Sequence, residues 1–142
     1  MAELRLEGFD EMLQDLERHV DGMDESCALA VMAGAEEALK AMQVTVPVRT
    51  GGLKKHLKTK GPFHNYIDGH YAFVYPTGHK RTYTPKKGKR QGKDVEVTYN
   101  QIGFVLEYGR SNMPARPWMR PAVENNRETI GEAMATTLFS QW

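Results

Sequence analysis

The sequence has a single cysteine, Cys27, and no long run of apolar residues. One cysteine cannot form an internal disulfide, and it cannot supply the several thiolates of a cysteine-rich zinc site. No stretch approaches the ~18 consecutive apolar residues typical of a membrane span. The acidic N-terminal stretch also lacks the basic and apolar regions of a secretory signal. These absences argue against a membrane or secreted protein. They predict synthesis in a reducing cytoplasm, with Cys27 as a small core residue.

Catalytic motifs are equally scarce. The sequence has no His-Glu-x-x-His, no nucleophile elbow, no Gly-x-x-x-x-Gly-Lys phosphate loop and no dinucleotide-binding glycine fingerprint. The strongest enzymatic alternative is a metal-dependent nuclease that would use His64, Asp68, His70 and His79. Their spacing suits no tight pair of ligands on one strand or helix. We therefore expect polar loop and strand-edge histidines, no enzyme activity, and no metal or other cofactor.

Positive and negative charges nearly balance over the chain, with a formal net charge of +1, but they are segregated. Residues 1–46 hold 11 acidic and 3 basic residues, whereas residues 47–93 hold 12 basic residues and one acidic residue. Separate blocks of opposite charge can present complementary faces to neighbouring copies, or a basic face to a polyanion. The plainer alternative is that both blocks are solvated surfaces.

Hydrophobic periodicity predicts an α+β fold that begins with two helices. An apolar stripe at helical spacing predicts a helix over Phe9–Val20, ended by Gly22, and a second helix over Asp24–Met42. A short basic helix is predicted around Leu53–Leu57, with Thr50 as its N-cap. These helices lie on either side of an extended segment that contains a proline.

The middle of the chain predicts a small, mostly antiparallel sheet. Strand patterns cover His70–Tyr75, Lys80–Thr84 and Asp94–Tyr99, and a long basic hairpin joins the last two. Ile102–Tyr108 fits either a buried strand or one to two helical turns. A C-terminal helix is predicted over Pro121–Phe139, where proline suits the first turn. A length of 142 residues predicts one domain. Three parts are predicted within it. Residues 1–46 form an acidic helical part, residues 47–108 a basic helix with the sheet, and residues 109–142 a proline-rich arm with the last helix.

The predicted hairpin loop carries seven positive charges within 14 positions. They are Lys80, Arg81, Lys86, Lys87, Lys89, Arg90 and Lys93. Such a loop attracts phosphates without regard to sequence, and the nearby Tyr75, Tyr83 and Tyr99 offer rings that can stack on bases. Three interpretations remain open: contact with nucleic acid, contact with an acidic protein neighbour, and a solvated loop.

A proline-rich arm, Ser111–Pro121, precedes the last helix. Its three prolines restrict the chain, so that little conformational freedom is lost on docking. The arm carries tryptophan, methionine and arginine, which are enriched at protein interfaces. A carboxylate at Glu107, inside an apolar run, needs a partner if buried. Arg110, Arg116 or Arg120, from the same or an adjacent subunit, could supply it. The predicted interface comprises Glu107, Arg110, Arg116, Trp118, Met119 and Arg120. The alternative is that Trp118 packs into the core of its own domain.

Three segments resemble the head–tail joining, or tail-completion, proteins of long-tailed lambdoid bacteriophages. Val46–Lys55 (Val-Pro-Val-Arg-Thr-Gly-Gly-Leu-Lys-Lys) is similar to the family's Thr-Gly-x-Leu followed by basic residues. Phe104–Ser111 (Phe-Val-Leu-Glu-Tyr-Gly-Arg-Ser) is similar to its hydrophobic-Glu-aromatic-Gly signature. Pro114–Ala122 (Pro-Ala-Arg-Pro-Trp-Met-Arg-Pro-Ala) is similar to the proline-rich start of its last helix. The three segments occur in the family's order and spacing. His56 and the expanded basic hairpin over Thr77–Lys93 depart from its pattern.

The resemblance implies a structural virion protein without enzyme activity. It would complete the tail or join it to the head, as a minor tail, neck or connector component assembled in the host cytoplasm. The implied partners are further copies in a ring, sixfold in the virion, together with other neck, tail-terminator or tail-tube proteins. Contact between the basic hairpin and packaged DNA is a further possibility that the resemblance leaves open. No membrane partner is expected. The alternative function is a nucleic-acid-binding module that uses the hairpin over positions 80–93.

Overall fold

A computed structural model of the chain describes residues 9–67 and 69–141. Helices and two small antiparallel sheets make up an α+β fold, as the sequence predicts. The elements are α1 (Phe9–Thr45), α2 (Gly52–Lys55), β1 (Leu57–Asn65), β2 (Gly69–Pro76), β3 (His79–Tyr83), β4 (Val95–Thr98), α3 (Tyr99–Tyr108), α4 (Met119–Asn125) and α5 (Arg127–Phe139).

The two predicted N-terminal helices are one continuous helix of 37 residues, α1. At 1.5 Å per residue it is about 55 Å long. The prediction that Gly22 ends the first helix is wrong, and a glycine inside a helix costs only about 1 kcal/mol relative to alanine. Nothing lies within 4 Å of the position where a Gly22 side chain would begin, so the residue faces open space. The Ser26 hydroxyl donates to the Gly22 carbonyl at 2.7 Å, inside the helix instead of capping a new one.

The strands form two separate two-stranded sheets instead of one sheet. β1 pairs antiparallel with β2, and β3 pairs antiparallel with β4 across the basic loop. The three predicted strands correspond to β2, β3 and β4. Exposed and partly buried residues alternate along β1. The sequence did not predict this strand, because its lysines and its Gly61-Pro62 step obscure the alternation of polar and apolar residues. Its register with β2 shifts at that step.

The apolar run Ile102–Tyr108, which fitted either a strand or a helix, lies in helix α3. A capping box starts it: the Gln101 N–H donates to the Thr98 hydroxyl oxygen, and the Thr98 N–H donates to the Gln101 side chain, both at 3.2 Å. The single predicted C-terminal helix is two helices, α4 and α5, which are separated at Asn126. Pro121 lies in the first turn of α4, as predicted. Thr50 is not the cap of α2, because Gly51 occupies that position in a left-handed conformation.

The C-terminal half of α1 is the centre of the packing and contacts β1, β2, α4 and α5. Met134 of α5 lies against Gly34, and Gln141 lies near Gly22, so α5 runs antiparallel to α1. A buried apolar cluster joins the end of α1, α2, β1 and the start of α4: Met42, Val46, Leu53, Leu57, Trp118 and Ala122. No helix in the described part of the chain combines the length and the apolar character that crossing a bilayer requires.

Candidate functional site

Trp118 is the most deeply buried side chain among the predicted interface residues, with 0% of its surface exposed. Its indole N–H donates to the Gly103 carbonyl of α3 at 3.1 Å. The absence of a side chain at Gly103 permits this approach, since a Cβ there would lie 3.1 Å from the Trp118 ring. The Thr45 hydroxyl at the end of α1 donates to the Trp118 carbonyl at 2.8 Å. The tryptophan therefore ties α1, α3 and α4 together.

Glu107 is buried beside it, with 6% of its surface exposed. Its carboxylate accepts the backbone N–H groups of Trp118 at 2.7 Å, Met119 at 2.8 Å and Arg120 at 3.1 Å. Burial raises the pKa of this carboxyl, but the three N–H donors and the positive charge of Arg120 outweigh burial and hold the pKa below its ordinary value. The charge is stabilised mainly by backbone amides.

The prediction that Trp118 anchors the chain to a neighbour is therefore wrong. Trp118 does not offer a contact to a neighbouring subunit, because its side chain fills the core of its own chain. Within the described residues Glu107 forms no side-chain ion pair with an arginine, and the start of α4 supplies its partners. Its pairing with an arginine of an adjacent subunit stays a prediction. Of the remaining predicted interface residues, Arg110, Arg116 and Arg120 are exposed and Met119 is partly buried.

The proline-rich arm folds back onto α3 and does not project. Arg110 and Met113 exchange backbone hydrogen bonds of 2.9 and 3.0 Å, and the Arg116 N–H donates to the Leu106 carbonyl at 2.7 Å. Gly109 begins the turn with φ 72° and ψ −175°, a region that glycine alone adopts readily. A Cβ at Gly109 would lie 2.7 Å from the Ala115 backbone nitrogen. The arm is a rigid part of the fold, with its arginines on the surface.

A groove of about 310 Å³ lies between α2, α3 and the arm. Leu53, Ile102 and Leu106 form its apolar floor, and the cationic residues Arg49, Lys80 and Arg116 stand around it. We call it the basic groove. It joins parts of all three segments that resemble the phage family. Its combination of apolar floor and positive rim suits an acidic, partly apolar segment.

The seven basic residues of the β3–β4 loop region are all exposed. None of them forms an ion pair with another described residue. The loop is nevertheless folded into turns: the Gly92 N–H donates to the Pro85 carbonyl at 3.1 Å, and Thr84 donates to Asp94 at 2.6 Å across its base. Of the three tyrosines suggested for stacking, Tyr83 is exposed and lies under Arg81, whereas Tyr99 is stacked on the His56 ring at 4.1 Å.

The N-terminal half of α1 presents a surface that the sequence did not identify as a site. Every residue from 11 to 25 is exposed, including five large apolar side chains along one side. We call this the apolar stripe: Met12, Leu13, Leu16, Val20 and Met23. Acidic residues flank it, among them Glu11, Asp15 and Glu17. The helical periodicity of the sequence predicts that this helix has an apolar face. It does not predict whether another part of the same chain covers that face.

The accessible surface of the whole chain is 11176 Å², whereas a compact monomer of 16.1 kDa exposes about 7,400 Å². The ten residues outside the described ranges account for at most about 1,600 Å², the value for a fully extended segment of that length. An excess of roughly 2,000 Å² therefore belongs to the described residues. Comparison with protein-family models, with curated proteins and with solved structures found no match.

The histidines considered as metal ligands separate into two places. His64 and His70 face each other across the β1–β2 pair, with ring centroids 4.7 Å apart. His79 lies in the other sheet, 3.1 Å from a carboxylate oxygen of Glu96. Asp68 lies outside the described residues. The spacing argument missed the cross-strand pair because strand register, not distance along the chain, brings the two rings together. Cys27 is partly buried in α1.

Proposed function

We propose that this protein is a structural subunit of a tailed-phage virion that completes the tail or joins it to the head by assembling into a ring. The excess of exposed surface is the observation that carries the proposal. Roughly 2,000 Å² is close to what one subunit buries against two neighbours, at about 800 Å² per partner for a standard interface. The three segments that resemble tail-completion proteins direct the proposal to the virion, with neck, tail-terminator or tail-tube proteins as further partners.

The contact between copies is proposed to join the apolar stripe of one subunit to the basic groove of the next. The stripe brings leucines and methionines flanked by Glu11 and Asp15, and the groove offers an apolar floor with Arg49 and Arg116 on its rim. Opposite charges steer the two surfaces together and fix their register. Two different patches make this contact heterologous, and such contacts close into a ring when the rotation between copies permits.

Reversal of the charges on each of the two surfaces tests the proposed contact directly. One variant carries Glu11→Lys and Asp15→Lys, and the other carries Arg49→Glu and Arg116→Glu. We expect light scattering, alone and with purified phage tail tubes, to show assembly for the wild type and its loss for each variant. A mixture of the two variants should associate again, because one pair of opposite charges is restored.

Glu36→Lys is the matched control, since Glu36 is exposed on α1 but lies outside the stripe. It should assemble like the wild type. A wild-type protein that stays monomeric both alone and with tail tubes would contradict the proposed function. Assembly that survives both charge-reversal variants would contradict the proposed contact and leave the ring itself standing.

A nucleic-acid-binding module is the second candidate, and the exposed basic loop favours it. Its phosphate contacts would make oligonucleotide affinity fall steeply with salt. The test variant replaces four loop residues by serine: Lys86, Lys87, Lys89 and Arg90. Fluorescence anisotropy should show weaker binding than in a Lys54→Ser, Lys55→Ser control, which removes exposed charges outside the loop. Absence of binding at low salt would remove this candidate, and unchanged tail joining by the loop variant would indicate a solvated loop.

A further inference from the structure

Three side chains that can bind metal meet where the β1–β2 pair lies against α1. His64 and His70 are direct partners in the antiparallel register, and Asp24 approaches them from α1. The Asp24 carboxylate is 2.7 Å from the Nε2 atom of His70. One nitrogen or oxygen from each of the three residues lies within 4.8 Å of those of the other two.

We propose that Asp24, His64 and His70 bind one divalent transition-metal ion, with Zn²⁺ as the ion that suits the site. Two imidazole nitrogens and one carboxylate oxygen form a ligand set typical of zinc sites that keep a fourth position for water. Imidazole suits Zn²⁺ and its first-row neighbours, whereas Mg²⁺ and Ca²⁺ prefer oxygen ligands alone. The chemistry of the donors therefore selects the class of ion.

The observed separations are compatible with binding after small side-chain rotations. Tetrahedral coordination with bonds of about 2.1 Å places ligand atoms about 3.4 Å apart. Asp24, whose side chain is 71% exposed, and His64, which is also exposed, pack mainly against the His70 ring, so little else opposes such rotations. The His70 side chain is 15% exposed and more firmly held, so it fixes the position around which the other two ligands close.

The surroundings favour a cation. Asp21 lies one turn before Asp24 and lines the same open cavity, to which His70 and Cys27 also contribute. The second carboxylate makes the local potential more negative, and the open cavity lets an ion enter from solvent. A bound ion would link α1 to the β1–β2 hairpin through residues 40 or more positions apart in sequence. It would hold the hairpin against the helix, independently of ring formation.

Zinc titration of the untagged, chelator-treated protein tests this site. We expect isothermal calorimetry to show one Zn²⁺ per chain, and Co²⁺ to give the visible absorption of a tetrahedral site. His64→Ala and His70→Ala should each weaken Zn²⁺ binding at least about tenfold, since even changes in outer-shell partners cost 10–100-fold. Zn²⁺ should also raise the melting temperature of the wild type, because it binds the folded state.

His79→Ala is the matched control, because His79 is an exposed histidine on a strand of the other sheet. It should bind Zn²⁺ as the wild type does. Asp24→Asn provides a second variant at an exposed helix position, where folding is not at risk, and circular dichroism verifies that each variant is folded. Zn²⁺ affinity that is unchanged in His64→Ala and Asp24→Asn, or no binding by the wild type, would overturn the proposed site.

Discussion

Glu107 performs at the start of α4 the role that a short polar side chain usually performs. Trp118 occupies the N-cap position and offers no side-chain acceptor, so the first amides of the helix lack a local partner. The carboxylate reaches them from α3, eleven residues earlier in the chain. A negative charge is also favourable at this end of the helix dipole. One buried side chain thus closes the junction between α3, the arm and α4.

Replacement of Glu107 by glutamine should lower the free energy of unfolding by about 2–4 kcal/mol. The amide keeps the size of the side chain but loses the charge, and its NH₂ group faces backbone N–H donors that need an acceptor. Urea denaturation at pH 7 measures the effect. Glu124→Gln, at an exposed position of α4, is the control and should change stability by less than about 0.5 kcal/mol.

Low pH should remove the contribution of the Glu107 carboxylate to the free energy of unfolding. The pKa of Glu107 is lowered in the folded protein, so in the interval between the folded and unfolded pKa values the unfolded chain binds more protons. Its stabilising effect is complete above the ordinary carboxyl pKa of about 4.3 and declines as the pH falls through the folded value. The stability difference between wild type and Glu107→Gln should therefore narrow below about pH 4. A constant difference from pH 7 to pH 3 would count against this linkage.

Trp118→Ala should destabilise the isolated chain by about 3–5 kcal/mol, the usual cost of truncating a buried tryptophan. It also leaves the Gly103 carbonyl without its indole donor. This expectation follows from the burial of Trp118 and replaces the interface role that the sequence predicted for it. Composition could not decide between these outcomes, because tryptophan beside prolines is equally typical of interfaces and of cores. An unchanged urea midpoint would show that the burial of Trp118 contributes little.

Helix α1 shows at the level of elements which features periodicity can predict. Its apolar spacing predicted helix on both sides of Gly22, but the predicted break at Gly22 was wrong because the neighbouring helix formers outweigh the cost of one glycine. The ends of β2, β3 and β4 were close to those predicted, since aromatic and β-branched residues mark them. β1 was invisible because lysines alternate with its inward-facing residues. The pairing of His64 with His70 depends on the register of that missed strand.

Leu13→Ser together with Leu16→Ser should abolish assembly without changing the stability of the monomer. Both leucines are exposed on α1 and contribute little to the core, so the free energy of unfolding should move by less than about 0.5 kcal/mol per site. Light scattering and urea denaturation measure the two effects separately. Val44→Ser, on the same helix but away from the apolar stripe, is the control. Loss of stability equal to that of a core substitution would show that the stripe packs within its own chain.

The whole molecule combines a small core with a large surface and segregated charge. The acidic block at the start of the chain coincides with the exposed half of α1, and the basic block supplies the loop and most of the groove rim. The separation of acidic and basic residues along the sequence therefore corresponds to separate acidic and basic surfaces in the structure. The sequence could not locate the groove, because this surface is assembled from α2, α3 and an arm that folds back.

Salt should weaken assembly if these opposed surfaces meet. Exposed charges are screened over about 10 Å at 0.1 M salt and about 3 Å at 1 M. Oligomers measured by sedimentation at low ionic strength should therefore dissociate as sodium chloride rises towards 1 M, while the melting temperature of the monomer changes little. Assembly that strengthens with salt would instead indicate a contact dominated by apolar burial.

Because α1 is long, its two halves differ in what limits the substitutions that they tolerate. Substitutions from about residue 24, where Asp24 contacts His70, are restrained by the fold, whereas those between residues 11 and 23 are restrained mainly by what the surface there meets. Under the proposed contact, exchange of this short segment would change which partner the chain binds without creating a new folding problem. Such a division allows a chimera to inherit its architecture from one parent and its docking preference from another.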